Sequence, residues 1–234
     1  LDTGASASAV SERLARELAL PPVARSSVVS LVGSHSRVVV RLGRVSLGDA
    51  QALDLLASVI PAARLDVAGA AVQGILGQDF LSGFNYTLDY RRRRIHWSAP
   101  GGRAPGRDEV RLTLRRREGR FLVELPQDGD RVVRFVPDTG TNGLVVFDRP
   151  GAWALPAEPL RGRYEVSDSS GRQVVETRRI RALRIGHLTL RDQVAAVVSK
   201  PQSTASEGDG LLPLHHFASV TFESREGYLV IRVR

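Results

Sequence analysis

Leu1-Asp2-Thr3-Gly4-Ala5-Ser6 returns as Pro137-Asp138-Thr139-Gly140-Thr141-Asn142, 136 residues further along the chain. The same offset carries Gly74-Ile75-Leu76-Gly77 onto Gly210-Leu211-Leu212-Pro213, and to within two residues Tyr86-Thr87-Leu88-Asp89 onto Val220-Thr221-Phe222-Glu223. One Asp-Thr-Gly alone says little, because Asp-x-Gly is a favoured turn. Two copies at one offset, each followed by the same apolar motif, indicate an internal duplication. The chain reads as two similar halves, each with one aspartate in a tight turn.

Around these motifs the sequence alternates apolar and polar residues between Gly, Ser and Asp turns, the signature of strands. The clearest are Arg37 to Leu42, Val45 to Leu47, Gln173 to Thr177, Leu183 to Ile185 and Gln193 to Val198. Val10, Leu14 and Leu18 share one helical face, so a helix is expected over Ser8 to Leu18, ended by Pro21 and Pro22. Ala99 to Gly106 is rich in Pro and Gly and reads as a link. The expected division is residues 1–98, a linker at 99–108, and residues 109–234. Strands Arg111 to Leu114, Phe121 to Leu125 and Arg131 to Val136 lead into Asp138. The first half begins at its motif, so equivalent upstream strands are expected and the first lobe is read as incomplete.

Aromatic residues make up 6% of the 234, so the core is built from Val, Leu, Ala and Ile, whose β-branched members favour strands. The formal charge of +8 raises nucleic acid as a partner. Lys200 is the only lysine, and the arginine runs at 91–94 and 115–117 lie between apolar segments, as solvated hairpin faces do. No nucleic-acid partner is expected. Cysteine is absent, which removes disulfides and thiolate metal sites. No run approaches the length of a membrane span. The compartment stays open, with a periplasmic or secreted location favoured because any signal segment would precede Leu1.

The paired turns, with Ile75 to Leu81 closely following the pattern of an apolar pair and glycine, resemble the retropepsin-like aspartyl proteases, particularly the bacterial forms. In its tandem layout the chain is also similar to the pepsin-like enzymes. The resemblance spans nearly the whole chain. It implies an all-β, two-lobed acid-protease fold with a pseudo-two-fold axis between the turns, in a monomer acting on peptide or protein substrates. It further implies catalysis by Asp2 and Asp138 with support from Thr3, Gly4, Thr139 and Gly140, and no metal or cofactor. Two carboxyls in contact share one proton and titrate as a pair, for which aspartic proteases are the standard worked case. The family also places a hairpin flap over the dyad; the candidates are Gly33, Ser34 and His35 in the first half, and Ser169, Ser170 and Gly171 in the second. Two departures occur in the second half. Thr141-Asn142 replaces Ala-Ser, and Pro213 stands where glycine is usual, so the strand beneath Asp138 is expected to sit differently.

Other chemistries find less support. The histidines at 35, 96, 187, 215 and 216 are dispersed, and adjacent His215 and His216 would face opposite sides of a strand. No Gly-x-Ser-x-Gly elbow or phosphate-binding loop is present. A peptide-binding module that keeps this fold without turnover is the alternative reading.

Overall fold

The computed structural model describes residues 1–67, 70–101, 104–148, 155, 157–168, 171–199 and 208–233. Ser169 and Ser170, Lys200 and part of the expected linker lie outside the described residues. In the first half the strands are β1 (Ala9–Ser11), β2 (Pro22–Val29), β3 (Ser34–Leu47), β4 (Ala50–Ile60), β5 (Asp66–Val67), β6 (Ala70–Ala71), β7 (Gly74–Ile75), β8 (Asn85–Asp89) and β9 (Arg94–Ser98). Two short helices, α1 (Glu12–Glu17) and α2 (Gln78–Leu81), interrupt them. The second half continues with β10 (Glu109–Arg117), β11 (Arg120–Pro126), β12 (Val132–Asp138), β13 (Leu144–Asp148), β14 (Ala157–Asp168), β15 (Gly171–Ile185), β16 (Leu188–Ser199), β17 (Gly210–Pro213), β18 (Ser219–Glu223) and β19 (Tyr228–Arg232). The fold is all-β, as expected.

The two halves share a local plan. In the first, β1 runs parallel to β4 and antiparallel to β7; in the second, β13 runs parallel to β16 and antiparallel to β17. Long antiparallel meanders, β2-β3-β4 and β14-β15-β16, flank these crossings. A side chain at the crossing is impossible in either half. A Cβ on Gly74 would lie 2.6 Å from the Ala9 carbonyl oxygen, and one on Gly210 would lie 2.0 Å from that of Val145. These two glycines are 136 residues apart in sequence, so the repeated motif marks a repeated steric need.

The sheets differ in extent. The first has the order β2-β3-β4-β1-β7, with β7 last. In the second, β17 also pairs in parallel with β12, the strand that delivers Asp138, and the sheet continues through β11, β10, β19 and β18 to β8 and β9. Thus the β8-β9 hairpin hydrogen-bonds to the second half. Tyr86 on β8 stacks on Phe222 of β18 with centroids 4.8 Å apart, Trp97 meets Tyr86 edge-on, and Phe80 and Phe84 in turn pack edge-on against Trp97. Burying such side chains stabilises by about 1.5–3 kcal/mol each. The cluster anchors α2, and with it the Gly74 to Gly77 segment beneath Asp2.

Three local expectations are corrected. The helix is Glu12–Glu17 rather than Ser8 to Leu18, because Ala9–Ser11 is claimed by β4 and β7, and the Ser11 hydroxyl caps the helix by accepting the Leu14 N–H. Pro213 leaves the strand in register, with Asp138 opposite Pro213 in the β12-β17 pair. His215 and His216 lie in a turn rather than on a strand, with ring centroids 4.2 Å apart. The arginine runs do fall at hairpin turns, where Arg92 pairs with Asp89 and Arg115 with Glu124. Among the described residues no helix is long and apolar enough to cross a membrane.

Candidate active site

The sequence motifs separated by 136 residues meet in space. Each Asp-Thr-Gly turn is locked to the other by its threonine. The Thr3 N–H donates to Thr139 Oγ1 at 3.0 Å, and the Thr139 N–H donates to Thr3 Oγ1 at 3.0 Å. Each hydroxyl then donates onward to the carbonyl preceding the opposite aspartate: Thr3 to Pro137 at 2.8 Å and Thr139 to Leu1 at 3.0 Å. Each of the two hydroxyls thereby donates its proton and accepts one N–H, and Thr3 is fully buried. Four such bonds are worth about 1 kcal/mol each when complete, and more than that when one partner is stranded.

This lock brings the Asp2 and Asp138 carboxyls together beside Gly140. The glycines allow it by contact across the pair. A Cβ on Gly4 would lie 2.4 Å from Asp138 Cγ, and one on Gly140 would lie 3.0 Å from both Asp2 carboxylate oxygens. The Gly4→Ala substitution is therefore expected to push the carboxyls apart and to cost both stability and any activity of the pair, by about 2 kcal/mol or more in unfolding free energy. Gly140→Ala, whose Cβ meets its neighbours less severely, is expected to cost less; denaturant titration of both variants checks the order.

The two carboxyls sit in unequal settings. Asp2 Oδ1 accepts two backbone N–H groups, from Gly4 at 2.9 Å and Ala5 at 3.1 Å. Asp138 Oδ1 accepts one, from Gly140 at 2.6 Å, and the residue is only 6% exposed. In the second turn Thr141 directs its hydroxyl to the Gly143 carbonyl at 2.8 Å. In the first half the equivalent loop packs close, since a Cβ on Gly77 would lie 2.8 Å from Ala7 backbone atoms. Burial, then the neighbouring Asp2 charge, push the Asp138 carboxyl up to about 8 against the opposing Gly140 N–H and, more weakly, the Arg120 guanidinium.

Supporting contacts beneath Asp2 escaped the sequence reading. Gln78 Nε2 donates to the Thr3 carbonyl at 2.8 Å, and Asp79 accepts from both the N–H and hydroxyl of Ser8 at 2.8 and 2.7 Å. Both residues directly follow the apolar motif, and their placement after Gly77 was the available signal.

The expected flap positions occupy hairpin ends. Gly33 closes the β2-β3 turn, accepting from the Ser30 N–H at 2.8 Å, with Ser34 and His35 opening β3 and Gly171 opening β15. The two hairpin ends touch. Asp168 Oδ2 accepts the Val32 N–H at 2.9 Å while its Oδ1 accepts the Gly171 N–H at 3.2 Å, and Leu31 packs on the apolar cluster that includes Val166 and Val175. Among the described residues, no three His, Asp or Glu side chains are grouped to hold a metal ion.

Two family models match, each spanning one turn and the strand beneath it: "gag-polyprotein putative aspartyl protease" over residues 1–83 and "Aspartyl protease" over residues 123–214. No curated protein matches. Among solved structures, a retropepsin-like aspartic protease from Rickettsia conorii is 14% identical with a TM-score of 0.33, covering 53% of this chain and 90% of its own. Conglutin gamma, a basic 7S globulin from lupine seeds, is 13% identical with a TM-score of 0.40, covering 86% of this chain and 69% of its own. With an aspartyl-protease match on each half and an all-β fold around the paired turns, the chain belongs to the retropepsin-like aspartyl proteases.

Proposed function

We propose that the chain is an aspartic endopeptidase in which Asp2 and Asp138 form the catalytic dyad. The observation that carries this reading is the convergence of the two carboxyls under the reciprocal Thr3–Thr139 lock. Two carboxyls in such contact keep one proton between them, because ionising both in a buried site is costly. The ionised member takes a proton from a water held between the pair, and the protonated member donates to the substrate carbonyl oxygen as the water attacks its carbon. The unequal settings assign the starting positions. Asp138, buried and held by one N–H, carries the proton. Asp2, held by two, is the base. The tetrahedral diol then collapses, the leaving nitrogen takes a proton from the dyad, and the peptide bond breaks without a covalent intermediate.

In this reading residues 1–98 and 109–234 act as two lobes joined through 99–108, each supplying one aspartate and one flap. Thr3, Gly4, Thr139 and Gly140 hold the carboxyls in contact. The hairpin ends around Gly33 to His35 and around Gly171 close over the substrate and exclude water. The test is cleavage of a mixed peptide library, with a statine-type hydroxyl peptide as inhibitor; cleavage blocked by that peptide supports the reading.

The flap role makes a separate prediction. Asp168→Ala removes the acceptor of the Val32 and Gly171 N–H groups, so the closed arrangement loses its tie between the hairpins. The variant is expected to raise KM by about threefold to tenfold with a smaller change in kcat, since one charge-assisted bond is worth about 1.5–3 kcal/mol at most. Steady-state kinetics on one peptide reads the split.

A further inference from the structure

The β8-β9 hairpin repeats the β18-β19 hairpin pair for pair: Tyr86 faces Trp97 as Val220 faces Ile231, and Leu88 faces Ile95 as Phe222 faces Leu229. Their outer sides differ. Along β19 runs β10, antiparallel, with Val110 opposite Ile231 and Leu112 opposite Leu229, and both β19 side chains are 0% exposed. β9 is the last strand of its sheet and pairs with β8 alone, and its Ile95 and Trp97 are only half-buried. Among the described residues, Arg94–Ser98 makes no backbone hydrogen bond outside the β8 ladder, so the N–H and C=O groups along its outer side are open to a partner strand. The neighbouring turns correspond as well. Between β15 and β16, Gly186 at φ +62° lies so near β10 that a Cβ on it would come within 2.5 Å of Val110 Cγ1. Between β3 and β4, Gly48 at φ +58° makes the same left-handed turn, but a Cβ there would meet Trp97 Nε1 at 3.3 Å. Where Val110 fills the second half, the first has an open pocket of about 360 Å³ lined by Leu47, Gly48, Asp49, Ile95, His96 and Trp97. At the hairpin end beside it Arg92 pairs with Asp89, whereas Arg91, Arg93 and Arg94 are exposed and make no ion pair among the described residues.

We propose that the outer edge of β9 is a docking site for an extended peptide segment, which joins the sheet as one further antiparallel strand in the manner of β10 on β19. The site is separate from the paired aspartates and does not rest on the proteolytic reading. The groups it presents define its occupant. The residue opposite Trp97 is apolar, because it enters the pocket between Gly48 and the indole as Val110 packs against Gly186. The residue opposite Ile95 is apolar too, since positions two apart on a strand share a face. Where the segment runs past Arg94 its residues are acidic, because the three unpaired arginines attract acid and repel a second cation. At the other end Asp49, beside Trp97 in the pocket, favours a cation. Backbone hydrogen bonds give the affinity, as in other strand additions, and the pocket sets the register.

The experiment is amide hydrogen exchange of the intact chain, read residue by residue, with and without the synthetic peptide Lys-Val-Thr-Leu-Thr-Glu-Glu blocked at both ends. Laid antiparallel, its valine falls opposite Trp97, its leucine opposite Ile95 and its glutamates beyond Arg94. Alternate amides of Arg94–Ser98 are expected to exchange fast in the protein alone and to slow by about tenfold or more at saturating peptide, with the amides of Gly33 and Gly171 unaffected. A peptide with glycine for valine is expected to bind about tenfold more weakly. One with lysines for the glutamates is expected to bind about threefold more weakly at low salt, and to lose that difference at high salt. The proposal is overturned if no β9 amide is protected, if the peptide protects Gly33 and Gly171 in place of β9, or if the glycine and lysine peptides bind as well as the first. It is also overturned if the β9 amides are protected without peptide in proportion to protein concentration, which would make a second copy of the chain the occupant. None of these outcomes bears on cleavage by the paired carboxyls, so the docking site and the proteolytic reading stand or fall separately.

Discussion

Asp2→Asn and Asp138→Asn are each expected to lower peptide cleavage by about a thousandfold or more, and the double variant to be no worse than either single one. The reason is that the pair acts as a unit. Asparagine fills the same space and can still accept the Gly4, Ala5 or Gly140 N–H through its oxygen. It cannot share or pass a proton. The Thr3–Thr139 lock does not involve either carboxyl, so both variants are expected to keep the fold. Near-additive losses, or a single variant with wild-type turnover, would show that the two carboxyls do not work together.

The same Asp138→Asn variant is expected to be more stable than the wild type at neutral pH. Burial and the Asp2 charge raise the folded Asp138 carboxyl to about 8, far above the value of about 3.9 usual for an unfolded aspartate. Between those values the folded chain binds more protons than the unfolded one. Stability from this group is therefore full below about pH 4 and falls as pH rises through the window towards about 8. Asparagine does not titrate. Its gain at pH 7 is expected to be on the order of 1–3 kcal/mol, or several degrees in Tm for a chain of this size, and to shrink towards nothing near pH 4. Asp2→Asn removes the Asp2 charge but leaves burial, the largest cause of the shift, in place, so its gain is expected to be smaller. Thermal melts of the three proteins across that pH range measure both effects. Asp138→Asn should thus lose activity and gain stability together, as strained or charged sites generally give.

The pairing of Asp2 with Asp138 was legible because the residues that enforce it are steric and repeat: Gly4 and Gly140 against the opposing carboxyl, Gly74 and Gly210 where a backbone passes. What depends on a single side chain reaching a distant backbone group was not legible. Asp168 capping Val32 is an example: the turn chemistry marked both hairpin ends, but nothing in either turn announces that they touch. Pro213 misled for a related reason. It stays paired opposite Asp138 in β12-β17, and a one-residue rule about proline carries no knowledge of that pairing. The α1 boundary failed because β4 and β7 compete for Ala9–Ser11, a tertiary claim that outweighs the helical spacing of Val10 with Leu14.

The central claim, that the paired carboxyls activate water against a peptide bond, is tested most directly by incubating the protein with a peptide library in heavy-oxygen water from about pH 3 to about pH 8 and reading the products by mass spectrometry. New peptide ends whose C-terminal carboxyl carries one oxygen from that water are expected with the wild type, and none with Asp2→Asn. Peptides that bind in the cleft but emerge uncut across the whole range would contradict it, and would make the chain a binding module built on a protease fold.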